Sequence, residues 1–356
     1  MRKFFIAFIA VCLCLFASLP VFADEGEAGK DLMGFFDWLD QDEVDLYGSI
    51  EAEFVSEESF DPDEDTGTES TVSYELGLSI EPNPWLGGMF EVSTEYEKPV
   101  TVDEAWVTVG NPERFPLYLT VGKMTLPFGL YESAMLSDSL TLELGETTST
   151  AAQLGLEWEA LYLKAFGYEA ESRQQDEEDE LRSFGADAGF LLDEDDFGIQ
   201  LGASWISDFE DSDRLTEYLN DEEFTLLNRV PGVAAYASVT LGVLTLAVEH
   251  VESIKRPRLS GEDGIEERPR QKAWTTELML DVELEGIVLE VGLMYSESDD
   301  ALDILPRQRM GGALTVYPFE HLRISVEYLQ EKDYQVNHGG TDSNADIVTF
   351  QLAMEL

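Results

Sequence analysis

A strict two-residue alternation of apolar and polar side chains recurs along this chain and runs unbroken to its last residue. From Asp346 onward, Val348, Phe350, Leu352, Met354 and Leu356 fall on one face, and Thr349, Gln351 and Glu355 on the other. That period belongs to extended strands, which bury one face in apolar surroundings and show the other to something polar. Segments with the same pattern fall at about 45–54, 70–81, one ending near Tyr96, 102–110, 116–123, 150–158, 161–170, 182–192, 197–207, 232–241, 243–253, 272–284, 287–297, 308–317, 320–331 and 346–356. The count is about sixteen, an even number of strands roughly ten residues long. Strands of that length, tilted, cross the apolar thickness of an outer membrane.

The connections give an independent sign. Tight ones fall at Pro82-Asn83-Pro84, Asn111-Pro112, Glu159-Ala160, Asp193 to Asp196, Gly242, Glu285-Gly286 and Pro318-Phe319. They alternate with longer polar ones at about 55–69, 124–149, 171–181, 208–231, 254–271, 298–307 and 332–345. The short connection at about 97–101 is the one exception to this parity. Outer-membrane barrels sort loop length in this way, with short periplasmic turns and long external loops. A set of aromatics near strand ends, Tyr74, Tyr96, Trp106, Trp158, Tyr168, Trp205, Trp274 and Tyr295, is expected to form the interfacial girdles. The expected fold is therefore an all-β transmembrane antiparallel barrel.

The N-terminus reads as a secretory signal peptide over residues 1–23. Arg2 and Lys3 precede the apolar run Phe4 to Phe16, and Ala23 precedes the expected cleavage site. Both cysteines, Cys12 and Cys14, lie within it, so the exported chain is expected to hold no disulfide and no thiolate metal site. Residues 24–43 form a short N-terminal segment on the periplasmic side. Its Leu32, Phe35, Phe36, Trp38 and Leu39 suit one amphipathic helix or a frayed terminus, and both readings stay open. The barrel itself is expected over residues 44–356.

Charge narrows the partners. Lys and Arg number 21 against 74 Asp and Glu, a net charge of −53. Such a chain repels phosphate, which excludes nucleic acid. A lumen lined by carboxylates favours cations; acidic surfaces also suit a saline habitat. The sequence shows no catalytic constellation, since His250, His321 and His338 fall on separate segments. It has no phosphate-cradling glycine loop and no cofactor motif. The acidic runs Asp61–Asp65 and Asp176–Glu180 have the oxygen ligands that Ca²⁺ or Mg²⁺ want, but lack EF-hand spacing, and read as solvated loops. In the loop after Val251, Arg256, Arg258, Arg268 and Arg270 cluster with Lys255 and Lys272. Three readings stay open: lipopolysaccharide phosphates, an anionic ligand at the channel mouth, or local compensation by Glu262, Asp263, Glu266 and Glu267.

The stretch at about 124–147 is a long loop far less charged than its neighbours and semi-apolar, rich in Leu, Phe, Tyr and Met. Such a loop is expected to fold into the lumen and narrow it. Lys123, Glu132, Asp138, Glu143 and Glu146 are its candidate charges. By parity, Lys164, Glu249, Asp281, Glu290, Arg309 and Arg323 are expected on the facing wall, so that a transverse field would orient dipolar solutes.

The segments DEAWVTVG (103–110), LYLTVGKMTLPFGLYESAMLSDSLTLELGET (117–147) and GSIEAE (48–53) resemble the siderophore porins of the LbtU family. The wider porin superfamily shares the VGK…PFG pattern. The resemblance implies an outer-membrane channel admitting iron–siderophore complexes. Its partners would be membrane lipid, lipopolysaccharide and a small-molecule solute. The final Leu356 departs from the usual terminal aromatic. The length is expected to leave no room for a plug domain, so that uptake would be diffusive or binding-assisted; a general cation-preferring porin is the alternative. A homotrimer is compatible with this size, although the sequence shows no interface signature.

Overall fold

The computed structural model describes residues 44–60, 66–170, 181–194, 197–261, 264–301 and 304–356. The leader, the 24–43 segment, the two acidic runs and Glu262–Asp263 lie outside the described residues.

Sixteen strands form one closed antiparallel barrel. In chain order they are β1 (Val44–Glu57), β2 (Gly67–Asn83), β3 (Leu86–Glu95), β4 (Thr101–Asn111), β5 (Phe115–Thr125), β6 (Thr148–Trp158), β7 (Leu161–Glu169), β8 (Leu181–Glu194) and β9 (Phe197–Ile206), then β11 (Gly232–Leu241), β12 (Leu244–Ser253), β15 (Lys272–Leu284), β16 (Ile287–Asp299), β17 (Gln308–Phe319), β18 (Leu322–Lys332) and β19 (Asn344–Glu355). Three short strands form a separate sheet in the long connections: β10 (Thr225–Leu226), β13 (Arg258–Gly261) and β14 (Gly264–Glu267). Each barrel strand pairs with its sequence neighbours, and β1 closes on β19 with Ser49 opposite Glu355 and Glu57 opposite Ile347. The amide of Leu356 donates to the Gly48 carbonyl at 2.9 Å, which extends the seam by one bond.

Closure follows from the alternation. Along β19 the even residues Val348, Phe350, Leu352 and Met354 point outward and are exposed, while Thr349, Gln351 and Ala353 are buried on the inner side. The same division runs round the wall: Phe54, Val107, Leu119, Leu154, Leu201, Leu246, Leu278, Leu293, Leu314 and Val326 are exposed on the outside. An apolar surface this continuous is far larger than water-soluble monomers leave uncovered.

The tight ends turn where the chain can take positive φ. Glu285 and Gly286 have φ 54° and 85°, the pair of left-handed residues that a two-residue hairpin needs to match strand twist. Gly122, with φ 144°, lets β4 approach closely; a Cβ there would lie 2.1 Å from the Ala105 carbonyl oxygen.

Two girdle expectations are corrected. Trp106 and Tyr168 occupy inward positions: the Trp106 indole donates to Glu104 at 2.9 Å, and Tyr168 is fully buried against Asp211. Strand-end position alone could not show this, because the face depends on parity. Tyr96, Trp158 and Trp274 are exposed on the outside.

Replacing Gly122 with Ala sets a new methyl against the β4 backbone. The expected cost is about 1–3 kcal/mol, read as a lower temperature for loss of the compact folded band on an SDS gel. A midpoint equal to wild type would contradict the close approach.

Candidate functional site: an inward loop pinned to the barrel wall

The segment between β5 and β6 leaves the wall and crosses to the opposite strands. It begins and ends together, since the Leu126 amide donates to the Thr147 carbonyl at 2.8 Å. It has no basic residue between Met124 and Thr147, so its own side chains offer carboxylates no cation. It offers backbone amides instead.

Three inward carboxylates of the far wall collect them. Glu249 on β12 accepts from the amides of Leu130 (2.6 Å) and Tyr131 (3.3 Å). Glu277 on β15 accepts from the Ala134 amide (2.6 Å) and the Ser133 hydroxyl (2.9 Å). Glu327 on β18 accepts from the amides of Leu136 (2.7 Å) and Ser137 (3.2 Å), and from the Ser137 hydroxyl (2.5 Å). All three glutamates are buried. Hydrogen bonds to a charged acceptor are worth more than neutral ones, and a buried carboxylate left without donors is costly. The pairing therefore satisfies both partners at once. Polar contacts add to it: the Gly129 amide donates to Ser204 and the Leu140 amide to Ser296, both at 3.2 Å.

Arg309 on β17 closes the far end. Its guanidinium donates to the Asp138 carbonyl (2.5 Å), to the Glu143 carboxylate and to Glu331 of β18 (2.6 Å). Between these contacts the loop forms the short helix α1 (Leu140–Gly145), capped by the Ser139 hydroxyl, which accepts from the Leu142 amide.

A second segment covers the loop from the long-loop end. Residues 207–231 carry the helix α2 (Asp213–Asp221) and pack Phe209 edge-on against Phe128 with ring centres 5.9 Å apart. The Asp213 amide donates to the Glu146 carbonyl (3.0 Å), and the Asp213 carboxylate accepts from the Thr148 amide (3.1 Å). Leu126, Phe128, Leu140 and Leu144 are thereby buried with Leu215, Leu219, Leu226 and Val251. The hydrophobic core of the described residues thus lies largely in the loops, inside the barrel's long-loop end.

The sequence candidates fall in different places. Glu132 is exposed on the loop, and Asp138, Glu143 and Glu146 lie on it as expected from their positions. Lys123 does not belong to the loop site: it shares the outward face of β5 with Leu119 and Val121, and its ammonium donates to the Val102 carbonyl at 2.5 Å. Glu249 and Arg309 do not oppose the loop across the lumen; they bind it. Lys164, Asp281, Glu290 and Arg323 sit inward but near the short-turn end of their strands, and no described bond joins them to the loop. Arg323 pairs instead with Glu51 (2.6 Å) and Glu355 (3.2 Å), and Glu290 accepts from Tyr317 (3.3 Å). Parity fixes a residue's face but not its height. Glu277 and Glu327 are functional residues that the sequence pattern does not mark out. Their signal is only that of carboxylates at inward positions midway along strands.

The basic loop is locally compensated. Arg256 pairs with Glu267, Arg268 with Glu266 and Arg270 with Glu252, while the Arg258 amide donates to Asn228. Arg268 also stacks over Tyr218 at 4.8 Å. The three histidines are not brought together: His250 is on β12 beside Trp274, His321 in the turn before β18, and His338 in the connection to β19.

Burial shifts several loop acids upward. Glu146 is pushed up to about 7 by burial, then by Asp138 and Asp213. In the covering segment, Glu210 is pushed up to about 7 by burial, against a bond from Gln271. Asp208 is held well above the carboxylate range by burial and by the neighbouring Asp211.

No protein-family model matches the chain. It is similar to a UPF0422 protein of Coxiella burnetii strain RSA 493, 25% identical over 282 residues, with 76% of this chain and 60% of the relative covered. It is also similar to a UPF0422 protein of Legionella pneumophila strain Paris, 24% identical over 285 residues, with 70% and 52% covered. The chain thus spans between half and three fifths of the length of these curated relatives. Among solved structures it resembles OmpF of Salmonella typhi in complex with daunomycin (TM-score 0.60, 14% identity, 88% of this chain and 97% of that one). The outer-membrane channel DcaP of Acinetobacter baumannii is similar (0.59, 12%, 88% and 97%), as is an anion-selective porin of Comamonas acidovorans (0.60, 11%, 88% and 99%). The chain has the fold of outer-membrane porin channels.

Two outcomes follow. Glu327→Ala strands two loop amides, at a cost of about 1–3 kcal/mol. Limited proteolysis of the folded protein should then cut near Leu136, where wild type resists; equal resistance would show that Glu327 does not hold the loop. The second concerns pH. Glu210 titrates higher when packed than when free, so packing favours its protonated form. Stability of the 207–231 segment is full below the ordinary value of 4.5 and declines as pH rises through about 7. Hydrogen exchange, corrected for its intrinsic pH dependence, should show 207–231 loosening over that window in wild type, and loosening less in Glu210→Gln.

Proposed function

We propose that the protein is an outer-membrane channel for small solutes, ferric siderophore complexes among them, with a lumen narrowed by the loop at about 124–147. The observation that carries this reading is the loop's attachment: a 16-stranded barrel encloses it, and buried wall carboxylates hold its backbone off the wall of origin. The exposed outer residues meet lipid, and the long-loop end, including Arg256 and Arg258, faces lipopolysaccharide. Siderophore passage is supported by the resemblance of segments 48–53, 103–110 and 117–147. Passage would be diffusive, through whatever space the loop leaves.

The rival is a general cation-preferring porin. The acid excess favours it, as do the inward carboxylates Glu51, Glu53, Glu75 and Glu290 of the wall. A carboxylate-lined passage concentrates cations and does so less as salt screens it.

Deleting Leu130 to Thr141 should raise single-channel conductance in a planar bilayer about twofold or more; unchanged conductance rejects the loop as a constriction. Reversal potentials in a KCl gradient and uptake of labelled ferric siderophore by cells with and without the gene separate the two readings. Uptake independent of the gene would leave only the general porin.

A further inference from the structure

Between the loop and the short-turn end lies a cavity of 400 Å³, whose wall comes from β6, β7, β8, β9 and β11 and whose roof is Pro127, Gly129 and Leu130. Its charge arrangement differs from the rest of the inner wall. Three described basic side chains occupy inward strand positions: Lys164, Arg309 and Arg323. Arg309 and Arg323 are each held by two carboxylates. Lys164 stands opposite Asp187 in the β7–β8 register but forms no ion pair with any described residue; its ammonium lies 5.5 Å from the centre of the Tyr162 ring. Glu157 lines the same cavity, one inward step along from the residue opposite Lys164, since Gly155 faces Lys164 and Glu157 faces Tyr162 in the register. Such diagonal positions stand about 7–8 Å apart, yet the two charges do not meet.

The nearby polar groups are already fixed. Asp187, buried, accepts from Ser204 (2.9 Å) and Tyr236 (2.8 Å), and the Tyr236 hydroxyl bonds to that of Tyr162 at 2.6 Å. This network holds the tyrosines rigid, and Leu130 and Leu191 supply apolar surface. Gly155 and Gly189 leave their strands bare where the Tyr118 and Tyr162 rings lie, so these rings sit close against the wall.

We propose that this cavity is a binding subsite for a small zwitterion with an apolar or aromatic side chain, of the amino-acid or short-peptide class. Its carboxylate meets Lys164, its ammonium meets Glu157, and its side chain lies against Tyr162 and the leucines. A cation and an anion that face one cavity without meeting each other match a dipolar solute better than either charge alone, because the acidic wall repels simple anions and a singly charged cation gives Lys164 no further acceptor. The inference deepens the channel reading and rests on it.

The test is block of single-channel current in planar bilayers by L-phenylalanine, phenylacetate and phenethylamine, using the full protein. Phenylalanine should block at lower concentration than either single-charge probe. Lys164→Gln should weaken its block about tenfold, while Lys164→Arg keeps it and open-channel conductance persists in both. Conducting channels that phenylalanine does not block, or blocks equally well in Lys164→Gln, overturn the subsite and leave the channel reading standing. Folded protein, heat-modifiable on SDS gels, that never conducts overturns both.

Discussion

The pairing of β1 with β19 is the contact on which the rest depends. An open sheet of this length would leave two rows of unpaired amides and carbonyls, and hydrocarbon offers such groups nothing. Closing the seam satisfies both rows at once and fixes an inside and an outside. Every strand then inherits its facing from the alternation: a one-residue slip at the seam would turn Phe350 and Leu352 inward and Thr349 and Gln351 outward.

Once an inside exists, the loop after β5 has a surface to meet. Its composition suits an unusual attachment. Basic side chains are absent from it, yet it binds an acidic wall, because its backbone amides serve as the donors. Glu249, Glu277 and Glu327 each take two or more donors from the loop, so three residues fix eight positions of chain from Leu130 to Ser137. Arg309 and the apolar roof over Phe128 and Leu144 hold the remainder. Below the loop, Lys164 and Glu157 line a cavity roofed by Pro127, Gly129 and Leu130.

Much of this was legible in the sequence. Strand positions, their number and the sorting of long and short connections came from period two and turn residues, because those signals are local. The loop's inward course was readable from its apolar residues and its low charge beside the other long loops. What local pattern could not give was height and register. Lys123 looked like a loop residue because it adjoins the loop, although one step of parity puts it outside. Glu249 and Arg309 were correctly inward, but their contact with the loop depends on how far the loop travels before turning, which no strand period encodes. Trp106 and Tyr168 show the same limit for aromatics. The burial of Asp208, Glu210 and Asp211 under the 207–231 segment arises from packing between distant loops, and charged residues in a long loop give no sign of it.

The closed cylinder is tested most directly at its seam. Val55 and Thr349 stand opposite each other on β1 and β19, and the exported chain reads as free of cysteine. In the double variant Val55→Cys, Thr349→Cys, mild oxidation of the folded protein in detergent should form an intramolecular disulfide in nearly every molecule while bilayer conductance persists. Failure to cross-link within the chain, or cross-linking only between chains, would contradict the barrel.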